Sequence, residues 1–125
     1  MLDSSACISV LRGRSSLHDL ATPVETAVSS IVAAELWVGF WKLGEKDPRS
    51  VFVSDFFETY EVIPFSNDAA RHYGEICAEL ERKGISIGPL DLLIAAHARS
   101  LDATLITANA GEFKRVKGLK VLTWK

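Results

Sequence analysis

Apolar residues recur along the chain at helical spacing in some stretches and as short β-prone runs in others. Turn residues separate the two kinds. Met1-Leu2 opens a very short strand, and Ser4–Leu11 (SSACISVL) continues as a helix. A further helical turn is expected at Leu17–Leu20. Thr26–Ser29 (TAVS) is β-prone. Ser29 or Ser30 then caps a helix that runs to Leu43 and stops at Gly44. Asp47-Pro48 has the form of a helix start, with Asp as cap and Pro at the first helical position, and that helix extends to Tyr60. Glu61–Ile63 is a strand stopped by Pro64. Ser66 caps the next helix, whose apolar positions Ala69, Tyr73, Ile76, Cys77 and Leu80 keep the helical period until Gly84 ends it. Gly88-Pro89 opens a helix over Pro89–Ser100. Ala103–Thr107 and Lys120–Thr123 are the closing strands. Strands alternating with helices imply parallel pairing and an α/β sandwich, in which ligands bind beyond the carboxyl ends of the strands.

Length adds one constraint: 125 residues fit a single domain. Nothing in the pattern is apolar for long enough to span a membrane, and no export signal is visible, so a cytoplasmic protein is expected. Cys7 and Cys77 then read as reduced core residues and not as a disulfide. The net charge of −2 argues against broad nucleic-acid affinity. Any such role needs a local basic patch, for which Arg12 and Arg14 are candidates, and a metal ion.

The chemistry lies in acids that stand alone. Asp3 follows Met1-Leu2. Glu35 is the one charge in IVAAELWVGFW, and Asp91 the one charge in ISIGPLDLLIAA. Asp3 serves equally as a helix cap or as a ligand, and Asp91 gains from a helix dipole. Glu35, in a helix interior with no cation at i±3 or i±4, must find solvent or a polar pocket. Two like charges 4 Å apart repel by roughly 4 kcal/mol at an effective dielectric of 20. Converging acids therefore need a proton or a divalent cation. An all-oxygen set favours magnesium or manganese. Asn109 and Glu112 add oxygens beyond the Ala103–Thr107 strand, or serve as turn and helix-start residues. His18, His72 and His97 show no ligand spacing. Trp37, Phe40 and Trp41 share one helix face, for the core or for a partner.

In order along the chain, Met1-Leu2-Asp3-Ser4-Ser5, Ser29 to Leu36 (SSIVAAEL), Tyr73 to Gly84, Ile87 to Ala98 (IGPLDLLIAAHA), Thr104 to Asn109, Glu112-Phe113 and Trp124 resemble the PIN-domain ribonuclease toxins of the VapC type. The resemblance implies one PIN domain over residues 1–125, a three-layer sandwich with a mostly parallel sheet flanked by helices. It implies magnesium-dependent cleavage of RNA, tRNA included. A cognate antitoxin in the active-site groove and a homodimer are the implied partners. Asp3, Glu35 and Asp91 take the places of the family's acids, and Asn109 and Glu112 complete the pocket. In this reading Asp3 and Asp91 hold Mg²⁺ (or Mn²⁺), Glu35 acts through water or accepts a proton, and Asn109 and Glu112 support them. The chain departs from the family pattern at Ser5, where Asn is usual, and at Leu90 and Ala108, where relatives are commonly polar. The alternative reading is a catalytically weakened module that binds an antitoxin or RNA without cleaving. A response-regulator receiver would need paired acids where Ser4-Ser5 stand, and a DNA nuclease would share the same site chemistry.

Overall fold

A computed structural model describes residues 1–12 and 25–123. The expected turn at Leu17–Leu20, together with Arg14, His18 and Trp124, lies outside them. Helix α1 (Ser4–Leu11) follows Asp3 directly, because the Asp3 carboxylate accepts the Ala6 N–H at 2.9 Å. Strand β1 (Ala27–Ser29) leads into α2 (Ser30–Leu43). Ser29 caps it by accepting the Ile31 N–H at 3.1 Å, and Gly44 at φ +91° terminates it. Helix α3 (Ser50–Thr59), strand β2 (Glu61–Ile63) and the Ser66-capped α4 (Asn67–Arg82) follow. The remaining elements are α5 (Pro89–Ser100), β3 (Thr104–Ile106), the short α6 (Ala110–Phe113) and β4 (Lys120–Leu122).

β1 pairs with β2, and β3 with β4, all in parallel. Leu2 joins the two pairs: it bridges Val28 on one side and Ile106 on the other, both in parallel sense. The order is therefore β2–β1–Leu2–β3–β4, with Leu2 fully buried at the centre. Parallel strands need crossovers, and the helices supply them while covering the apolar sheet. α5 packs on β1, β3, α2 and α4, and α1 packs on α2 and α3. The core between them is built from Leu2, Val28, Val32, Ile76, Ile94, Leu105 and Phe113.

One expectation is corrected and two open readings are resolved. Regular helix begins at Ser50 and not at Asp47-Pro48. Asp47 uses its carboxylate on the Arg49 N–H at 2.9 Å, and its carbonyl on the Ser50 N–H, which makes a turn before the helix starts. The segment after β3 forms a helix, α6, which is too short to show a period. Of the Trp37, Phe40 and Trp41 face, only Phe40 packs half-buried against the core. Trp41 is 64 % exposed and Trp37 38 %. Trp37 stacks on Phe57 of α3 with ring centroids 4.9 Å apart, so these rings form a surface cluster between two helices. Val32, Ala33 and Leu36 are the buried residues of α2. Cys7 and Cys77 are free thiols, Cys7 inside the core and Cys77 half-buried against it. No helix among the described residues is long and apolar enough to cross a membrane.

Candidate active site

The central sheet position delivers the first acid. Asp3 follows Leu2 at the carboxyl end of the sheet, and its N–H is held by the Ile106 carbonyl at 3.1 Å. The side chain is only 4 % exposed. Oδ1 accepts from the Ala6 N–H and from the Ser5 hydroxyl at 2.6 Å, and Oδ2 accepts from the Thr107 hydroxyl. The cap and the site therefore coexist in one residue. The carboxylate caps α1 with one oxygen, while the other keeps a lone pair beyond the Thr107 bond. The donors are themselves fixed. Ser5 Oγ accepts the Ala108 N–H at 3.1 Å, and Thr107 Oγ1 accepts the Asn109 N–H at 2.9 Å. Two hydroxyls thus tie the end of β3 to the start of α1 through Asp3.

Glu35 lies half-buried in α2, and its Oε1 accepts the Ser4 hydroxyl at 2.6 Å. That contact answers the question its apolar run posed: it faces the polar start of α1, and neither open solvent nor the core. Asp91 lies in the first turn of α5 and shares a hydrogen bond with Glu112. Glu112 in turn accepts the Gly88 N–H at 3.1 Å and the Asn109 side-chain amide at 2.7 Å. Burial first, then Glu112, then the charges of Asp3 and Glu35 push the Asp91 carboxyl up to about 6. The four acids therefore feel one another across a common space.

All five expected residues meet here, in two linked groups: Asp3 and Glu35 through Ser4 and Ser5, and Asp91, Glu112 and Asn109 through one another. Thr107 and the Ser4-Ser5 pair were missed as positioning groups. A hydroxyl that ends a buried strand and two more beside a lone acid were the available signals. Arg12, expected near phosphates, caps the far end of α1, roughly 13 Å along the axis from Asp3 at 1.5 Å per residue. The remaining soft donors do not join. Cys7 is buried, and burial together with Asp3 and Glu35 pushes its thiol up, so it offers no thiolate. His72 accepts from Arg99, and His97 is buried against Ser29.

The donor set is four carboxylates and one amide, with no imidazole or thiolate, which suits a hard divalent cation. Among the described residues no three such side chains yet close around a single point. The acids are spread over hydroxyl and carboxyl partners, and burial with the neighbouring charges raises the Asp91 carboxyl only to about 6, so at neutral pH the repulsion is left for a cation to neutralise. The oxygen chemistry fits such an ion, and to hold it Asp3 and Asp91 would have to close on it from the two groups.

Residues 1–119 match the family model for the PIN domain. The chain is 40 % identical to ribonuclease VapC2 of Rickettsia felis, covering 99 % of this chain and 96 % of that protein. It is 34 % identical to the tRNA(fMet)-specific endonuclease VapC of Salmonella typhimurium, again over 99 % and 96 %. Among solved structures, the VapBC2 complex of Rickettsia felis bound to a DNA fragment from its promoter aligns with a TM-score of 0.90 and 36 % identity. That alignment covers 100 % of this chain and 98 % of the matched one.

Proposed function

The chain belongs to the PIN-domain family, and from that premise we propose that it is a magnesium-dependent endoribonuclease, the toxin of a toxin–antitoxin pair. It hydrolyses RNA phosphodiester bonds, with tRNA as the favoured target class, given what the Salmonella relative is named for. One observation carries the reading: Asp3 and Glu35, held by Ser5 and Ser4, stand with Asp91, Glu112 and Asn109 at the carboxyl end of a parallel sheet. Such a site is unstable as four free anions and useful as a cation cradle.

Asp3 and Asp91 would hold Mg²⁺, which Mn²⁺ could replace. When bound, the ion neutralises charge on the scissile phosphate and makes a nearby water more acidic. The rest is done by the chain. Ser4 fixes Glu35 through Oε1, leaving Oε2 to accept a proton. Asn109 holds Glu112, and Glu112 steadies Asp91 and the loop at Gly88. The rival reading of a binding-only module drew on Ser5 and Leu90. Leu90 is exposed, but Ser5 grips Asp3 through its hydroxyl, which supports a working site. The whole chain, residues 1–125, acts as one domain in the cytoplasm. Its protein partners are a cognate antitoxin and a second copy of the chain, and the exposed aromatic face of α2 supports such contacts.

The test is incubation of the purified protein with total RNA, with and without Mg²⁺, followed by mapping of new ends. New ends that need the metal and vanish in folded Asp3→Ala and Asp91→Ala proteins are expected. Undiminished cleavage by either variant would refute the assigned roles, and RNA binding without any cleavage by the wild type would favour the binding module.

A further inference from the structure

A polar pair lies in the core behind the site, where Ser29 ends β1 one position after Val28, the strand partner of Leu2. His97 is 1 % exposed and Ser29 is fully buried, and Nδ1 and Oγ are 2.7 Å apart. Phe65 closes on the imidazole edge-on, at 5.4 Å between ring centroids. Nε2 has no hydrogen-bond partner among the described residues. Burial lowers the pKa of the imidazole, so the ring is neutral at ordinary pH. A half-satisfied polar group is a poor way to fill a core, because an apolar side chain of the same size would avoid the unpaired nitrogen. Stability alone does not account for the pair.

Its location does. Ser29 caps α2 and lies six residues before Glu35, while His97 lies six residues after Asp91 on α5. The Nδ1–Oγ bond is the side-chain hydrogen bond that joins α5 to the cap of α2 among the described residues. Both helices are stiff over six residues, so the bond sets how far apart their acids stand. We propose that His97 is a positioning residue: by holding Ser29 it fixes the spacing of Glu35 and Asp91 across the site. The proposal rests on the reading of that site as a cation-dependent ribonuclease.

Two substitutions separate the hydrogen bond from the packing. His97→Leu keeps the volume and removes the bond. His97→Asn places an amide group near the former Nδ1 and can restore it. Thermal melting, Mn²⁺ affinity by calorimetry, and kcat and KM on RNA are measured for each. His97→Leu is expected to melt at or above the wild-type temperature, yet to bind Mn²⁺ and turn over about tenfold less well with little change in KM, and His97→Asn to recover most of both. Should His97→Leu fail to fold, His97→Met carries the test: it fills the space without the bond, leaves Ser29 capping α2, and is expected to show the same loss in kcat. Wild-type Mn²⁺ affinity and kcat in the bond-free variant would overturn the proposal, as would an Asn variant no better than Leu. A wild-type protein that neither binds Mn²⁺ nor cleaves RNA would overturn the reading of the site and this inference with it.

Discussion

Ser5 shows how a residue that looks like a loss can do the work of the one it replaces. Its hydroxyl donates to Asp3 Oδ1 at 2.6 Å and accepts the Ala108 N–H at 3.1 Å, so one small side chain aims a carboxylate and anchors the loop opposite. Removing it hands the exposed Ala108 N–H to water and takes away one of the three donors that hold Asp3. Ser5→Ala is expected to cost about 1 kcal/mol of stability. It should also reduce kcat or metal affinity by roughly 10- to 100-fold, as is usual when a support behind a ligand is lost. Ser5→Thr, which keeps the hydroxyl, should stay near wild type. Steady-state kinetics across a Mg²⁺ titration, with melting curves, check this, and an Ala variant with wild-type Mg²⁺ dependence would show that Ala6 and Thr107 hold Asp3 unaided. At this scale the acids were legible because a lone charge in an apolar run must be paired somewhere. Their partners were not. Ser4, Ser5 and Thr107 are ordinary cap and strand-end residues until the fold places positions 3 and 107 side by side, and nothing periodic links Asp91 to Glu112.

The elements that carry their own stop and start signals were the ones readable in advance. α1, α2, α4 and α5 begin at Asp3, Ser29, Ser66 and Gly88-Pro89, and the structure starts each helix there. The strands were harder to bound. Each is three residues long, and Leu2 is a single bridge, so no alternation can develop, and in β1 and β3 the burial of adjacent residues removes it anyway. α6 has only four residues and is defined by the burial of Phe113 and by Glu112 reaching Gly88. The surface position of Trp41 was hidden for another reason. Spacing reports that apolar residues share a face, but not whether another element covers it. Because α4 bears none of the site acids, its cap can be tested apart from the chemistry. Ser66 accepts the Ala69 N–H at 3.2 Å, and Ser66→Ala is expected to lower the unfolding free energy by about 1 kcal/mol while leaving the rate of RNA cleavage unchanged. Urea denaturation reads the first and initial rates the second. An equal loss of activity would mean that α4 sets the position of Asp91 through its packing on α5.

Across the whole molecule, the acids are held together by the fold against their own repulsion, and stability should report it. The folded Asp91 carboxyl titrates near 6, above its usual value, so the native state holds this proton more tightly than the unfolded chain does. Its stabilising contribution is complete below the unfolded value of about 4 and is lost as pH rises through about 6. At neutral pH, without a cation, ionised Asp91 therefore works against folding. Asp47, Asp68 and Glu79, held low by Arg49, Arg71 and Lys83, act in the opposite sense at lower pH, so total stability alone cannot isolate the effect. The difference between wild type and Asp91→Asn can, because an amide keeps a donor for Glu112 without the charge. Without metal, the variant should melt higher than wild type at about pH 7, and the gap should close towards pH 5. Millimolar Mg²⁺ should raise the wild-type melting temperature at neutral pH and leave the variant almost unmoved, since binding to the native state alone is what stabilises it. Parallel melting curves at both pH values, or equal Mg²⁺ shifts in the two proteins, would mean that the site does not draw its cation through Asp91.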